Sequence, residues 1–318
     1  MPSQSLIQIQ SNFTAGKIDK MQYLALLTAH HDQLFDYPEI LAQSEIDRIE
    51  ISPSGVIFHP NFANFKVYYR KGDMRAASNM ALGLGSYERP ERIALQQILT
   101  DETVIFDIGA NCGWFGLELA SRLNAAQLYC FEPCPKTYTQ LTKNIELNNF
   151  QNIEAYNFGF SDENGSFEIF FDERDSAVAS LRNTHEYEER SKVSVEMRRI
   201  DDFSETHSLN ADFIKADVEG AELLVLKGAE NTLINSKPII FLEMVRKWTK
   251  HFNYHPNDIV DFLAKHGYEC FVIPIEFDGE AGGMTLKKMT SMNDTVMETN
   301  FIFLNRERHQ KLISEQTQ

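Results

Sequence analysis

The sequence contains few cysteines, and their spacing is not typical of a metal site. Four cysteines occur among 318 residues, and none of them forms a Cys-x-x-Cys pair, which argues against structural zinc. Cys130 and Cys270 lie in apolar runs, where a thiol commonly behaves as a small buried hydrophobic group. We therefore expect reduced cysteines and, by default, a cytoplasmic protein.

Long apolar runs and an excess of positive charge are also missing. No run approaches the roughly 18 apolar residues of a membrane span, and the N-terminus lacks the basic-then-apolar pattern of a signal peptide. The 46 acidic side chains outnumber 30 basic ones, so the formal net charge of −16 argues against nucleic acid as the main partner. We find no internal repeats and no low-complexity tract.

The residue pattern divides the chain into four regions. Residues 1–47 are predicted to be a helical extension, in which Asp19 caps one helix and Pro38 opens another that runs through Ile46. Residues 48–100 read as a β-hairpin followed by a helix, 101–308 as an α/β domain, and 309–318 as a C-terminal tail. We expect the first 100 residues to form a cap over the site or an oligomerisation element.

From residue 103 onward, strand and helix patterns alternate, which is typical of a parallel sheet covered on both faces. The final strand follows a loop rather than a helix and is expected to pair antiparallel with the strand before it. The predicted strands are 103–107, 126–131, 153–158, 212–216, 238–244, 268–274 and 300–304.

Two further amphipathic strands, 165–171 and 193–199, interrupt this alternation. The polar segment 172–192 between them is long for a loop in a compact domain, and we interpret it as a substrate lid. His185 within it is a candidate mobile base, although a histidine in a loop is more often only solvated.

The segment 103–113 is the most informative part of the chain. A short apolar run ends in Asp107 and then turns through Gly109 and Gly113 into a helical pattern, which Asn111 is placed to cap. Open parallel sheets bind ligands at the carboxyl ends of their strands. A carboxylate and a bare backbone turn at that place suit a cationic, amino-acid-like ligand, and S-adenosylmethionine fits best. The free N–H groups at the helix start, near Gly113, would face its carboxylate.

The next two predicted strands supply the other parts of such a site. Glu132 ends the second strand, where an acidic side chain accepts hydrogen bonds from ribose hydroxyls. Phe131 or Pro133 would contact the adenine. Asp162 would accept the adenine amino group, with a backbone N–H of the Ser161–Asp162 turn donating to the ring.

A nicotinamide dinucleotide is the main alternative ligand. Gly109, Gly113 and Gly116 are spaced almost as in a dinucleotide-binding turn, and Glu132 would serve either cofactor. Asp107 separates the two, because a carboxylate in the turn repels a pyrophosphate and attracts a sulfonium amino acid.

The chain resembles the FkbM family of S-adenosylmethionine-dependent methyltransferases over about residues 80–304. Ala216 departs from the pattern, where a larger side chain is more usual, and residues 1–47 have no counterpart. The resemblance is carried by Gly85-Ser86-Tyr87-Glu88, Phe106-Asp107-Ile108-Gly109-Ala110-Asn111-Cys112-Gly113, Phe131-Glu132-Pro133, Phe160-Ser161-Asp162, Ile214 to Glu222, Leu226-Lys227-Gly228-Ala229 and Ile240-Phe241-Leu242-Glu243.

The resemblance implies a class I methyltransferase domain over 101–308, with a seven-stranded sheet whose last strand is antiparallel. It implies methyl transfer to a hydroxyl of a sugar or of another small molecule, such as a polyketide. The alternatives are transfer to nitrogen or a carboxyl group on the same fold, or a non-catalytic module that only binds the cofactor. Ala110, Trp114, Tyr87 and Glu88 join the expected cofactor site.

The candidate catalytic residues are Asp217 and Glu219 after the fourth strand, Glu243 at the end of the fifth, and, more weakly, Lys215. A positioned base assists a hydroxyl nucleophile, and Lys215 would lower the pKa of a neighbouring carboxyl group or pair with it. Glu219 and Glu222 have a structural alternative at the start of the next helix. We assign no metal, although Asp217 with Glu219 or Glu243 is an alternative magnesium site.

Overall fold

Short helices form the N-terminal region of this computed structural model, which describes residues 4–172, 174–183, 190–274, 286–292 and 298–316. Asp19 caps the second helix as predicted, since its side chain accepts the Gln22 N–H at 2.8 Å. The third helix has Pro38 in its first turn but ends at Ala42 rather than Ile46, because Ile46 begins a strand. The helices are α1 (Leu6–Thr14), α2 (Lys20–His31) and α3 (Tyr37–Ala42), with a 3₁₀ turn at Asp32–Asp36.

Apolar side chains of this region face outward. Ile7 is 79% exposed and Phe35 is 81% exposed, and α2 and α3 contain no buried residue. Apolar surface of this kind is typical of contact sites. The role of the region as a cap or an oligomerisation element stays a prediction.

The predicted hairpin and helix follow. Arg92 is buried between the N-terminal extension and the α/β core. Its guanidinium lies 2.5 Å from Glu45 of the extension and 3.6 Å from Glu118 on the first core helix. This ion network therefore joins the extension to the core. The elements are β1 (Ile46–Ser52), β2 (Gly55–Pro60), β3 (Val67–Tyr68), α4 (Ala77–Gly83) and α5 (Arg89–Ile98), and the three strands form one antiparallel sheet.

The core alternates strands and helices as predicted. Its elements are β4 (Val104–Ile108), α6 (Trp114–Arg122), β5 (Gln127–Phe131), α7 (Pro135–Asn148), β6 (Ile153–Tyr156), β7 (Gly159–Phe160), β8 (Gly165–Asp172), β9 (Asp175–Ser180), β10 (Ser191–Arg198), α8 (Ile200–His207), β11 (Phe213–Ala216), α9 (Glu222–Lys227), α10 (Glu230–Asn235), β12 (Ile239–Glu243), α11 (Arg246–Thr249), a 3₁₀ turn (Lys250–Phe252), α12 (Pro256–Lys265), β13 (Tyr268–Val272), β14 (Lys287–Met289), β15 (Asn300–Asn305) and α13 (Gln310–Gln316).

The main sheet has the strand order β14-β13-β15-β12-β11-β4-β5-β6. β12, β11, β4, β5 and β6 pair in parallel, and β15 runs antiparallel to both β12 and β13. The predicted antiparallel last strand is therefore confirmed. It lies inside the sheet between two neighbours, and the short β14 adds an edge strand that the sequence pattern did not indicate.

A second sheet, in the order β7-β10-β8-β9, holds the two amphipathic strands. Ile169 packs with Val195, Met197 and Cys134, as the alternation predicts. The segment 172–192 is only partly a loop, because β9 lies within it and pairs with β8. His185 lies outside the described residues. The lid function of this segment stays a prediction.

Glycine allows close packing of α6 on the sheet. A Cβ at Gly116 would lie 2.7 Å from Cys130 Sγ, so a side chain there would force the helix away. Apolar residues fill both faces of the main sheet, in two buried clusters. In the described part of the chain, no helix is both long and apolar enough to cross a membrane.

Candidate active site

A cavity of about 310 Å³ opens at the carboxyl ends of β4, β5, β11 and β12. It brings together most of the residues singled out from the sequence, although they come from five separate segments. Its lining includes Tyr87, Glu88, Asp107, Gly109, Ala110, Asn111, Trp114, Glu132, Pro133, Lys215, Asp217, Glu219 and Glu243.

Asp107 occupies the floor of this cavity. Its side chain is fully buried, and neither carboxylate oxygen has a hydrogen-bond partner among the described residues. Strand register places Asp107 beside Lys215, whose Nζ lies 3.9 Å from Asp107 Oδ1. Burial raises the pKa of Asp107 to about 6, and the Lys215 ammonium limits the rise. Asp107 is thus an acidic group whose hydrogen-bonding capacity is available to a ligand.

The turn after β4 requires glycine for a reason that the sequence pattern did not reveal. Gly109 has a φ of +78°, and a Cβ there would lie 2.0 Å from the Asp217 carbonyl oxygen. Asp217 N–H donates to the Ile108 carbonyl at 3.1 Å, so the ends of β4 and β11 touch at this place. Glycine at this position therefore keeps Asp107 and Asp217 close together.

Glu132 is buried and held by the backbone. Its Oε1 accepts the Cys134 N–H at 2.8 Å, and its Oε2 accepts the Asn111 N–H at 3.0 Å. Burial raises the pKa of Glu132 to about 7, which the two N–H donors partly oppose. The side chain is therefore fixed against the cavity wall, with lone pairs left for a ligand.

Two details of the predicted cofactor site differ from expectation. Gly113, not Asn111, is the N-cap residue of α6, no side chain caps that helix, and Asn111 adopts a φ of +49°. The prediction that Asn111 caps the helix is therefore wrong, and its buried Oδ1 lacks a partner among the described residues. Gly113 packs against Leu141 behind the wall, since a Cβ there would lie 2.6 Å from Leu141 Cδ1.

Ser161 and Asp162 follow β7 but do not line the cavity. Ser161 Oγ donates to Asp162 Oδ1 at 3.1 Å, and a Cβ at Gly228 would lie 2.1 Å from the Ser161 carbonyl oxygen. The preceding residues, Gly159 and Phe160, do line it. The adenine-binding roles of Ser161 and Asp162 stay predictions.

Tyr87 and Glu88 line one side of the cavity, and their closing over the cofactor stays a prediction. The Tyr87 carbonyl accepts Arg92 Nε–H at 2.9 Å, and the Tyr87 ring meets Trp114 edge-on at 6.4 Å. Glu88 has a φ of +47°, and burial raises its pKa to about 7 despite Lys215. The buried Arg92 thus positions this segment against α6.

Lys215 lies among the carboxyl groups rather than at the edge of the site. Its side chain is buried, and Nζ lies 3.4 Å from Asp217 Oδ2. Burial alone would lower the pKa of Lys215, but the charges of Asp217 and Asp107 outweigh it and the net pKa is raised. Lys215 therefore carries its positive charge at neutral pH and is unsuited to act as a base.

Three carboxyl groups gather on the opposite side of the cavity. One oxygen atom from each of Asp217, Glu219 and Glu243 lies within 4.8 Å of the other two. Burial, followed by the charge of Asp217, raises the pKa of Glu219 to about 9 and that of Glu243 to about 10. We call these three residues the acidic cluster.

The turn that carries Glu219 is stabilised by Glu222. Glu222 Oε1 accepts the N–H groups of Val218 and Gly220 at 3.2 and 3.1 Å, and Tyr254 hydroxyl donates to Oε2 at 3.2 Å. These bonds give Glu222 a structural role. Glu219 adopts a φ of +53°, and its Oε2 has no partner among the described residues.

The cavity also includes residues that sequence analysis missed. Arg75 lines it and forms an ion pair with Asp175 at 2.6 Å, and Ser180 of β9 lines it while donating to the Glu219 carbonyl at 2.9 Å. Contacts between residues so distant in sequence have no local pattern. For Ser180, the only sequence feature that pointed to the cavity was the polar character of segment 172–192.

The donor set fits S-adenosylmethionine. Six carboxyl groups line the cavity with two basic side chains, Arg75 and Lys215, and the Asp107 carboxylate has no hydrogen-bond partner in the described structure. A cavity with more carboxyl groups than basic side chains favours a ligand with a sulfonium and an ammonium and opposes a pyrophosphate. The fold and the cavity therefore define a class I S-adenosylmethionine-dependent methyltransferase scaffold, and the dinucleotide alternative is disfavoured.

The chain belongs to the FkbM methyltransferase family, because the model of the methyltransferase FkbM domain matches residues 107–270, about half of the sequence. The S-adenosylmethionine expected from the turn after β4 is thus the cofactor of its family.

Curated relatives are similar to part of the chain. Methyltransferase 1 of Beauveria bassiana is 28% identical over 149 residues, 41% of this chain and 60% of that protein. Hexuronic acid methyltransferase AglP of Haloferax volcanii is 27% identical over 175 residues, 55% of this chain and 66% of the relative. 2-O-methyltransferase NoeI of Sinorhizobium fredii is 29% identical over 150 residues, 43% and 61% of the two chains. The match thus spans less than two thirds of each relative.

Among solved structures, the FkbM methyltransferase from Methylobacillus flagellatus is similar with a TM-score of 0.41 and 16% identity, over 71% of this chain and 52% of that one.

Proposed function

We propose that this protein transfers a methyl group from S-adenosylmethionine to a hydroxyl of a sugar or another small molecule. The proposal rests on the observation that two different sets of residues line the two sides of one cavity. Asp107 and Glu132 form one side, and the acidic cluster of Asp217, Glu219 and Glu243 forms the other. The first side suits the cofactor, and the second suits an acceptor that must lose a proton.

On the cofactor side, each residue has a distinct role in this proposal. Asp107 would attract the cationic methionine part, with the turn at Gly109 and Ala110 beside it. Glu132 would accept the ribose hydroxyls, and Trp114, Tyr87 and Glu88 would close the cavity over the ligand. When bound, S-adenosylmethionine supplies a methyl group made electrophilic by positively charged sulfur.

On the acceptor side, Asp217 is the best candidate for the base. The positively charged Lys215 lies 3.4 Å from it, whereas burial raises the pKa of both Glu219 and Glu243 well above its usual range. Asp217 would take the hydroxyl proton as the oxygen acquires the methyl group. A positioned base contributes roughly 10²- to 10⁴-fold, and holding the two reactants together contributes about 7–11 kcal/mol.

The names of two relatives support a sugar acceptor. One is a hexuronic acid methyltransferase and the other a 2-O-methyltransferase. A polar cavity wall, with Ser180 and the three carboxyl groups, suits an acceptor with several hydroxyls.

Two measurements test this function. Calorimetry should show one S-adenosylmethionine bound per chain, and product analysis with panels of sugars, uronic acids, amines and carboxylic acids should yield O-methyl products only. Binding without transfer to any panel would support a non-catalytic module, and N-methyl or ester products would favour the alternative acceptors. Absence of cofactor binding would overturn the proposal.

A further inference from the structure

The acidic cluster brings three carboxyl groups close together on the cavity wall. Its three carboxyl groups come from the ends of two adjacent strands, β11 and β12, and reach one another within 4.8 Å. Lys215 pairs with Asp217, and Arg75 is engaged by Asp175 at 2.6 Å. Both basic groups line the same cavity, and among the described residues neither Glu219 nor Glu243 forms an ion pair with a basic side chain.

Glu219 gives a second, independent sign of a missing ligand. The residue is 9% exposed, yet it lines the cavity, and its Oε2 atom has no hydrogen-bond partner in the described parts of the chain. A buried carboxyl oxygen without a donor is costly. Its backbone is held in place by the Ser180 hydroxyl, so the side chain cannot easily be withdrawn from the cavity by a shift of the turn.

We infer that Asp217, Glu219 and Glu243 bind a divalent cation of the magnesium or manganese type. The three ligands are carboxylate oxygens with no histidine or cysteine among them, which is the donor set that such hard cations prefer over zinc. The sequence analysis assigned no metal and kept these carboxyl groups as an alternative magnesium site, and the proposal takes up that alternative.

The consequence for turnover rests on the proposed function. Magnesium and manganese usually keep several coordination positions outside the protein ligands, and a site on the cavity wall can offer those positions to acceptor hydroxyls. The cation would then orient an acceptor with neighbouring hydroxyl groups and stabilise its oxygen as the proton leaves. Binding of the cation itself does not depend on that role.

The site is tested by titrating the chelator-treated full chain with Mn²⁺ and following free Mn²⁺ by electron paramagnetic resonance. We expect one bound Mn²⁺ per chain, displaced by excess Mg²⁺, and affinity at least about tenfold weaker in both Glu219→Gln and Glu243→Gln. Glu168→Gln, which removes an exposed carboxylate on β8 far from the cluster in sequence, should bind Mn²⁺ as the wild type does.

Two variants guard against a folding artefact, and circular dichroism checks both. Absence of Mn²⁺ binding by the wild type at millimolar concentration, or unchanged affinity in both cluster variants, would overturn the site. Turnover should fall at least about tenfold in chelator and return with Mg²⁺ or Mn²⁺. Full turnover in chelator would overturn the catalytic role, whereas Mn²⁺ binding without any methyl transfer would count against the proposed function alone.

Discussion

Glu132 and Glu219 are both buried glutamates in one cavity, but their surroundings differ. Glu132 receives two backbone N–H groups, from Asn111 and Cys134, whereas Glu219 Oε2 has no donor among the described residues. Burial raises the pKa of Glu132 to about 7 and that of Glu219, which also lies beside Asp217, to about 9. The same side chain is thus held by two donors on one side of the cavity and lacks a donor to Oε2 on the other.

This difference separates the two tasks of the proposed reaction. Backbone donors hold a carboxylate in one orientation, which suits recognition of a constant cofactor. Crowded carboxyl groups without donors bind protons or cations strongly, which suits an acceptor site. Variants on the two sides should therefore affect different kinetic constants.

The largest effect is expected on the acceptor side. Asp217→Asn should lower kcat by about 10²- to 10⁴-fold, because the amide cannot accept the hydroxyl proton. The dissociation constant of S-adenosylmethionine should stay within a few-fold, as calorimetry would show. Glu219→Gln should also lower turnover while cofactor affinity is kept. Full activity in both variants would exclude these residues as bases. It would also contradict the assignment of the two sides of the cavity to cofactor and acceptor.

Asp107→Asn should have the next largest effect, and on the cofactor side. Loss of the buried negative charge should weaken S-adenosylmethionine binding by about 10- to 100-fold, equivalent to roughly 1.4–2.7 kcal/mol. S-adenosylhomocysteine, which lacks the positive sulfur, serves as the control ligand and should lose less affinity. Unchanged binding of both ligands would show that Asp107 does not contribute to cofactor binding.

Glu132→Gln should weaken cofactor binding by about tenfold and leave kcat within about threefold, the reverse of the Asp217 result. The amide NH₂ group would also face one of the two N–H donors, so the free energy of unfolding should fall by about 1–3 kcal/mol. Thermal unfolding and calorimetry measure the two effects. A fall in kcat with unchanged affinity would contradict the assignment of Glu132 to the ribose.

The smallest effect concerns pH. The pKa of Glu132 is raised to about 7, so the unliganded protein holds a proton there in mild acid, and that proton must leave for the carboxylate to accept ribose hydroxyls. Cofactor affinity should therefore fall by about three- to tenfold between pH 7.5 and pH 6. The same titration in Glu132→Gln should be flatter over this range, and an equally steep profile would assign the effect to another group.

Local patterns in the sequence predicted a large part of this structure. The run into Asp107, the glycine turn and the Asp19 helix cap are short-range features, and the observed elements follow them closely. The prediction that Asn111 caps α6 was wrong, because Asn111 takes a left-handed conformation and turns its N–H to Glu132. That contact depends on the neighbouring strand.

Other features depended on contacts between distant segments. The position of β15 between β12 and β13 follows from pairing across the sheet, and Arg75 reaches the cavity through an ion pair with Asp175. No spacing rule connects residues so far apart in sequence.

By itself, the sequence determined the alternating α/β pattern, the acidic residues at the ends of the strands and the glycine turn, because each follows from side-chain periodicity and backbone freedom within a few residues. Only the tertiary structure decided which carboxyl groups share a cavity and how each is neutralised. Strand register brings Lys215 beside Asp107, and the close approach at Gly109 brings β4 to β11. Burial and charge, which set the chemistry of the site, arise only once those strands are packed together.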